Sequence, residues 1–303
     1  MLGISTAWKS DKIKDANRLL DELSKTGLYG LELEYRISQE MYQEMKPALK
    51  KSVFKVLSIH NFFPVPDILP VNQGSGDAFR FSSEDEDERK KGIEYTKKTL
   101  QIAHDLEVRA VILHLGKVPI KTDVKKLFEL YDSKKIHKSE GKNLIEKIKK
   151  EREDKRQKPL DNVLFCLEKL HKEAERLNVY IGIENRYFPD EIPNFEEIGV
   201  ILKEFKGGMV KYWHDVGHAQ TQEILGFEEK NRLLGSYSKE MIGIHLHGAS
   251  GYNDHYAPND NIDFSSIKDY ITPETIKIIE AHSKVRLEEL KEGVNYLYSS
   301  GIH

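Results

Sequence analysis

The chain has 303 residues, 47 Lys and Arg against 50 Asp and Glu, a formal charge of −3, and 39% hydrophobic residues. A charge this close to balance excludes a protein that grips nucleic acid across its whole surface, since phosphate contacts require an excess of Lys and Arg. Cys166, the single cysteine, can form neither an intrachain disulfide nor a cysteine-rich zinc site; no apolar run reaches the ~18 residues of a membrane span, and the opening MLGISTAWKSDKIK turns polar too early for an export signal. The expected location is the cytoplasm, with no membrane partner.

At about 150 residues per domain the length allows two domains, but an α/β barrel fills a similar length as one. Short apolar, β-branched runs recur from Leu2 to Thr6, Leu28 to Glu34, Val53 to His60, Ala110 to Gly116, Val179 to Glu184, Met209 to Asp215, Met241 to His247 and Thr275 to Glu280. Helical periodicity lies between them. Buried parallel strands read as continuous apolar runs, so this alternation predicts a single (β/α)8 TIM barrel over 1–303. Helix punctuation agrees: one helix from about Asp11 stops at Gly27, another stops at Asn178, Asn194 with Glu197 forms a capping box, and Asp263 and Ser283 are expected N-caps.

Two stretches exceed a minimal barrel. The loop after the third strand, with its Pro and aromatic residues and the acidic run SSEDEDE, is long enough to be a functional lid. Residues 117–158, after the fourth strand, are charge-dense with a basic excess and are expected to form one or two solvated helices inserted in the barrel. A platform for an anionic substrate or partner is the competing reading.

Polar side chains in a barrel strand cost desolvation unless they sit at the mouth, where the carboxyl ends of the strands place the chemistry. The expected strand ends are polar: His60 in the third, His114 in the fourth, Glu184 and Asn185 in the fifth, Asp215 in the sixth, His245 and His247 in the seventh, and Glu280 in the eighth. Alternation sets Ile181 and Ile183 opposite Gly182 and Glu184, sets Ile242, Ile244 and Leu246 opposite Gly243, His245 and His247, and sets Leu31 and Leu33 opposite Gly30, Glu32 and Glu34. A glycine beneath a polar residue leaves room for convergence on one central point. Converging imidazoles and carboxylates are the ligand set of zinc, manganese, cobalt or iron, and His218, Asn253, Asp254 and His255 add more donors than one ion needs. Any one of these residues alone reads as a buried, hydrogen-bonded side chain; consecutive strands all ending this way do not.

From GLYGLELE through SIHNFFP, ILHLG, IGIEN, WHDVGHA, GIHLH and DHYAP to IIE, the chain resembles the xylose-isomerase-like, AP-endonuclease-2-type TIM barrels. The resemblance implies a single-metal core of Glu184, Asp215, His245 and Glu280. Its endonuclease IV branch implies ligands for two further zinc ions at His60, His114, His218 and His255. One departure is Asn253 at the spacing of a family aspartate, with Asp254 directly beside His255, and either of the two could take the family carboxylate's place; another is His247, which could be a substitute ligand. The segments ENRY and WHDVGHA also resemble, more loosely, phosphodiesterases that remodel cobamides.

Three functions compete. The leading expectation is a hydrolase of a phosphoester or phosphodiester of an anionic small molecule, in which one to three Zn or Mn ions activate water. The alternative is a sugar or sugar-phosphate isomerase or epimerase, with one metal and with Glu184 and Glu280 exchanging protons with carbon. The third is a non-catalytic binder, against which the cost of buried carboxylates without a cation argues. Expected catalytic residues are Glu184, Glu280 and His218; expected substrate contacts are Asn185, Arg186, Tyr187, His247 and Phe62. DNA is not favoured, because the acidic third connection faces the expected mouth.

Overall fold

The computed structural model describes residues 1–51 and 53–303. Eight parallel strands close a barrel: β1 (Leu2–Ser5), β2 (Gly30–Leu33), β3 (Lys55–His60), β4 (Ala110–Leu113), β5 (Tyr180–Glu184), β6 (Val210–Asp215), β7 (Met241–Leu246) and, after a two-stranded hairpin of β8 (Gly248–Ser250) and β9 (Asn253–Tyr256), β10 (Ile276–Ile279). β1 pairs with both β2 and β10, completing the ring. Each expected apolar run contains one barrel strand. Among the described residues no helix is long and apolar enough to cross a membrane.

Alternate strand residues build two layers. Leu31, Leu33, Val111, Ile181, Ile183, Ile244 and Leu246 face the surrounding helices, while Ala110, Ile112, Trp213, Ile276 and Ile278 fill the barrel interior. Trp213 is the plug. A Cβ at Gly243 would stand 2.1 Å from its ring, so only glycine lets the indole cross the barrel. The space expected beneath His245 is therefore filled, and Trp213, whose ring meets that of His245 edge-on at 5.0 Å, is the floor of the mouth. The register shifts between Tyr212 and Trp213, which pair with Met241 and Gly243; Ile242, expected on the outer face, instead joins the inner cluster.

Helix boundaries follow their caps. The first long helix begins at Ala16 with Asp15 as N-cap, not at Asp11. Asn178 closes the 157–177 helix in the left-handed conformation, and Asn194 and Glu197 form the expected capping box. Ser283 does not cap the last helix; its hydroxyl donates to Asp11 at 2.7 Å, and Arg286 occupies the cap. Within 117–158 lie two helices, Lys126–Asp132 and Ser139–Lys155, whose Leu127, Ile145 and Ile148 share a small core with Leu225. The insertion is docked rather than free: Arg152 makes a buried double contact with Glu197 (2.7 and 2.9 Å) and also donates to the carbonyls of Pro189 and Glu191.

Candidate metal centre at the barrel mouth

The strand ends bring the expected donors into three groups, each with ligand atoms mutually within 4.8 Å: Glu184, Asp215, His245 and Glu280; His60, His114 and Glu184; and His218, Asp254 and His255. Glu184 joins the first two, with Oε1 2.7 Å from His245 Nδ1 and Oε2 2.8 Å from His114 Nε2. His245 Nδ1 also lies 3.1 Å from Glu280 and 3.6 Å from Asp215.

The imidazoles are oriented for ligation. A metal-binding histidine needs one nitrogen lone pair free and the other nitrogen's proton donated elsewhere. His60 Nδ1 meets the Asn61 carbonyl (3.0 Å), His218 Nδ1 the Asn185 carbonyl (3.0 Å) and His255 Nδ1 the Glu280 carbonyl (2.9 Å). His114 Nδ1 donates to Asp77 (3.0 Å), and His245 Nε2 donates to Glu32 (3.0 Å). In every case the nitrogen left over faces its donor group. His247 is the opposite case: its Nδ1 accepts the backbone N–H of His255 (3.1 Å), so Nε2 carries the proton and donates to Asp215 at 3.0 Å. In this arrangement it braces Asp215.

Electrostatics point the same way. Burial, reinforced by the carboxylates of Glu32, Glu184 and Asp215, pushes Glu280 up to about 8 despite His245 beside it. So many buried acids around one point are costly without a cation, and a divalent ion fits this donor set.

The hairpin decides between Asn253 and Asp254. Asn253 is exposed, whereas Asp254 Oδ2 stands 3.8 Å from the Nε2 atoms of both His218 and His255. Neighbouring strand residues normally point to opposite faces, but His255 adopts a left-handed φ of 55°, which brings both side chains to the same side.

Other expected contacts are engaged by protein partners. Asn185 spends its amide on Tyr212 Oη, Asp215 N and Asp215 O, bracing β5 against β6. Arg186 is buried and bound to Glu184, Asp77 and Glu191 at 3.2, 3.2 and 2.9 Å. Phe62 is wholly buried against Phe79 and Phe81, with no face toward the mouth. Asn185 and Phe62 share a cause: a side chain near a strand end has the wall as well as the mouth within reach, whereas Arg186 stays beside Glu184 at the mouth. Tyr187 does border the site, its ring edge-on to His218 at 5.9 Å.

Two residues that contact the donor groups had no role assigned from the sequence. Asp77, in the long third connection, reaches back over the mouth to His114 and Arg186; although burial opposes it, the Arg186 charge and the hydrogen bond from His114 hold its carboxyl well below the usual range. Gly76 precedes it, and a Cβ there would stand 2.8 Å from His114 Nδ1. Glu32 was visible but unassigned; it takes the His245 proton and a hydroxyl hydrogen bond from Ser58 (2.8 Å). Glu34 turns the other way, accepting from Ser10 and pairing with Arg36 at 3.5 Å.

A family model of the xylose isomerase-like TIM barrel matches residues 20–300. The chain belongs to that family. Similar solved structures include 3-keto-D-glucoside 4-epimerase from E. coli (13% identity, 98% of each chain, TM-score 0.68) and D-psicose 3-epimerase from Clostridium cellulolyticum H10 (14%, 100% of this chain and 99% of the other, 0.66). A D-tagatose 3-epimerase-like protein is another (18%, 99% of each chain, 0.62). At these identities the likeness is one of fold. No curated protein matches the chain. The leading expectation of a phosphoester hydrolase is corrected here: the structures that share this barrel along its whole length include several sugar epimerases, in line with the alternative rather than the leading expectation.

Proposed function

We propose that this protein is a divalent-metal-dependent isomerase or epimerase of a keto sugar or its phosphate. The observation that carries the reading is the buried quartet of Glu184, Asp215, His245 and Glu280 at the mouth of a barrel shared with sugar epimerases. Three carboxylates and one imidazole suit manganese or a similar hard ion; the imidazole-richer groups suit zinc and give the chain capacity for up to three ions. A cation in the quartet would polarise the carbonyl and hydroxyl oxygens of the sugar.

The chain's own residues then move the proton. One of Glu184 and Glu280 takes a proton from the carbon beside the carbonyl, and the other, protonated, delivers one to the opposite face or to the neighbouring carbon. The two roles exchange in the reverse direction. Asp215, fixed by His247 and by its cap on the Val216–Ile224 helix, holds the geometry. His60 and His114 lie beside Glu184 and, where their group holds no ion, would meet substrate oxygens.

The test is proton exchange. Metal-loaded protein incubated with a panel of keto sugars and their phosphates in deuterium oxide should place deuterium beside the carbonyl, read by NMR, and Glu184→Gln should abolish it. Wild-type protein that exchanges no proton on any of them overturns the reading.

A further inference from the structure

A second cavity opens beside the mouth, about 310 Å³ in volume and lined by Ala7, Asp11, Arg36, His282, Ser283 and Lys284. Its walls are the connections that follow β1, β2 and β10, so it sits on the same face of the barrel as the donor groups. It is joined to them through one imidazole: the His282 ring stacks on that of His255 with centroids 4.0 Å apart.

The cavity is cationic, and its cations are lightly engaged. Arg36 lies over the Tyr35 ring and makes one side-chain hydrogen bond, Nη2 to Tyr35 Oη at 3.2 Å, and a loose 3.5 Å pair with Glu34. Lys284 spans the Tyr256 ring at 3.6 Å and donates only to a backbone carbonyl, that of Asp254, at 2.9 Å. Among the described residues no carboxylate pairs with Lys284. The one acid in the lining, Asp11, is tied to the Ser283 hydroxyl and lies 3.7 Å from Lys12. Lys9 stands behind, held by the carbonyls of Ser283 and Val285.

We propose that this cavity is a subsite for the phosphate group of a phosphorylated keto sugar, gripped by Arg36 and Lys284 from two sides while the sugar carbons reach the Glu184–Glu280 pair. The proposal rests on the isomerase reading for the sugar and on the cavity alone for the phosphate. A carboxylate offers one planar pair of oxygens and would be satisfied by a single guanidinium fork. A phosphate monoester carries close to two charges and three acceptor oxygens, which matches a fork and an ammonium set apart across a cavity of this size. Barrels of this architecture commonly seat phosphate near the connections of their last strands, where Lys284 stands.

Titration calorimetry of inorganic phosphate into the metal-loaded full chain tests the subsite without any turnover. Lys284→Gln and Arg36→Gln should each weaken phosphate binding at least tenfold, and Asp11→Asn, which removes the cavity's own anion, should strengthen it severalfold. Should Arg36→Gln fail to fold because Glu34 loses its partner, Lys284→Gln and Asp11→Asn still decide. Phosphate affinity unchanged in both means the ion sits on metal alone and overturns the proposal. The second arm compares phosphorylated with free ketose: kcat/KM for the phosphorylated sugar should fall at least tenfold more than that for the free one in Lys284→Gln, and equal losses also overturn it. If wild-type protein binds phosphate through these residues but exchanges no proton on any keto sugar, the isomerase reading fails and the subsite stands.

Discussion

His245 and Glu32 form a buried pair, Nε2 to Oε2 at 3.0 Å, in which the carboxylate engages the nitrogen that points away from Glu184 and so sets which nitrogen is left for the other donors. Ser58 holds Glu32 from the adjacent strand, and Trp213 supports the ring from below.

A carboxylate behind a ligating histidine fixes its tautomer and raises its basicity, and losing it typically costs about 10- to 100-fold in metal affinity. Glu32→Gln should therefore weaken manganese binding by about that factor, measured by competition with a chelating dye, with little change in the far-UV circular dichroism. Unaltered affinity would remove Glu32 from the metal centre.

Metal removal should destabilise the fold. A ligand bound only by the native state adds about 2.7 kcal/mol when present at 100 times its Kd, and here the cation also relieves the crowding of Glu32, Glu184, Asp215 and Glu280. Dialysis against chelator should lower Tm by several degrees, restored by manganese. Quartet variants such as Asp215→Asn should lose most of that response.

Gly76 lets the third connection approach His114 closely. Gly76→Ala should push the loop and Asp77 off the imidazole. A displacement of about 1 Å at a reacting centre can cost on the order of 100-fold in rate, so kcat/KM should fall toward that extent while Tm moves by no more than a few degrees. A fall in Tm that matches the loss of activity would make the loop a structural element only.

Glu228 gives a pH dependence away from the metal groups. Burial, with Glu196 nearby, pushes its carboxyl up to about 7 from 4.5 although Arg232 pulls it down. Between those values the folded chain holds a proton that the unfolded chain has released. Stability contributed at this site is therefore full below pH 4.5 and falls as pH rises through about 7, by up to the order of 3 kcal/mol. Urea denaturation should show that slope in the wild type and a flatter profile in Glu228→Gln.

Much of this protein was legible from residue order alone. Near-continuous apolar runs separated by helical segments point to a parallel sheet closed into a barrel, because such strands must be covered on both faces. Polar residues ending those strands can be accommodated only at the mouth, which is why His60, His114, Glu184, Asp215, His245 and Glu280 could be named in advance. What residue order could not decide was direction at short range. Asn185 and Phe62 stand next to the site in the chain yet turn into the wall, since neighbouring elements offer them partners that only the closed barrel supplies. Asp77 and Arg36 are remote from the strand-end motifs and arrive at the mouth by the course of their loops. The choice of Asp254 over Asn253 rests on one backbone angle at His255. Apolar periodicity is enforced by burial along each strand, and so is written locally; which donor meets which acceptor across the mouth depends on distances set by eight strands at once.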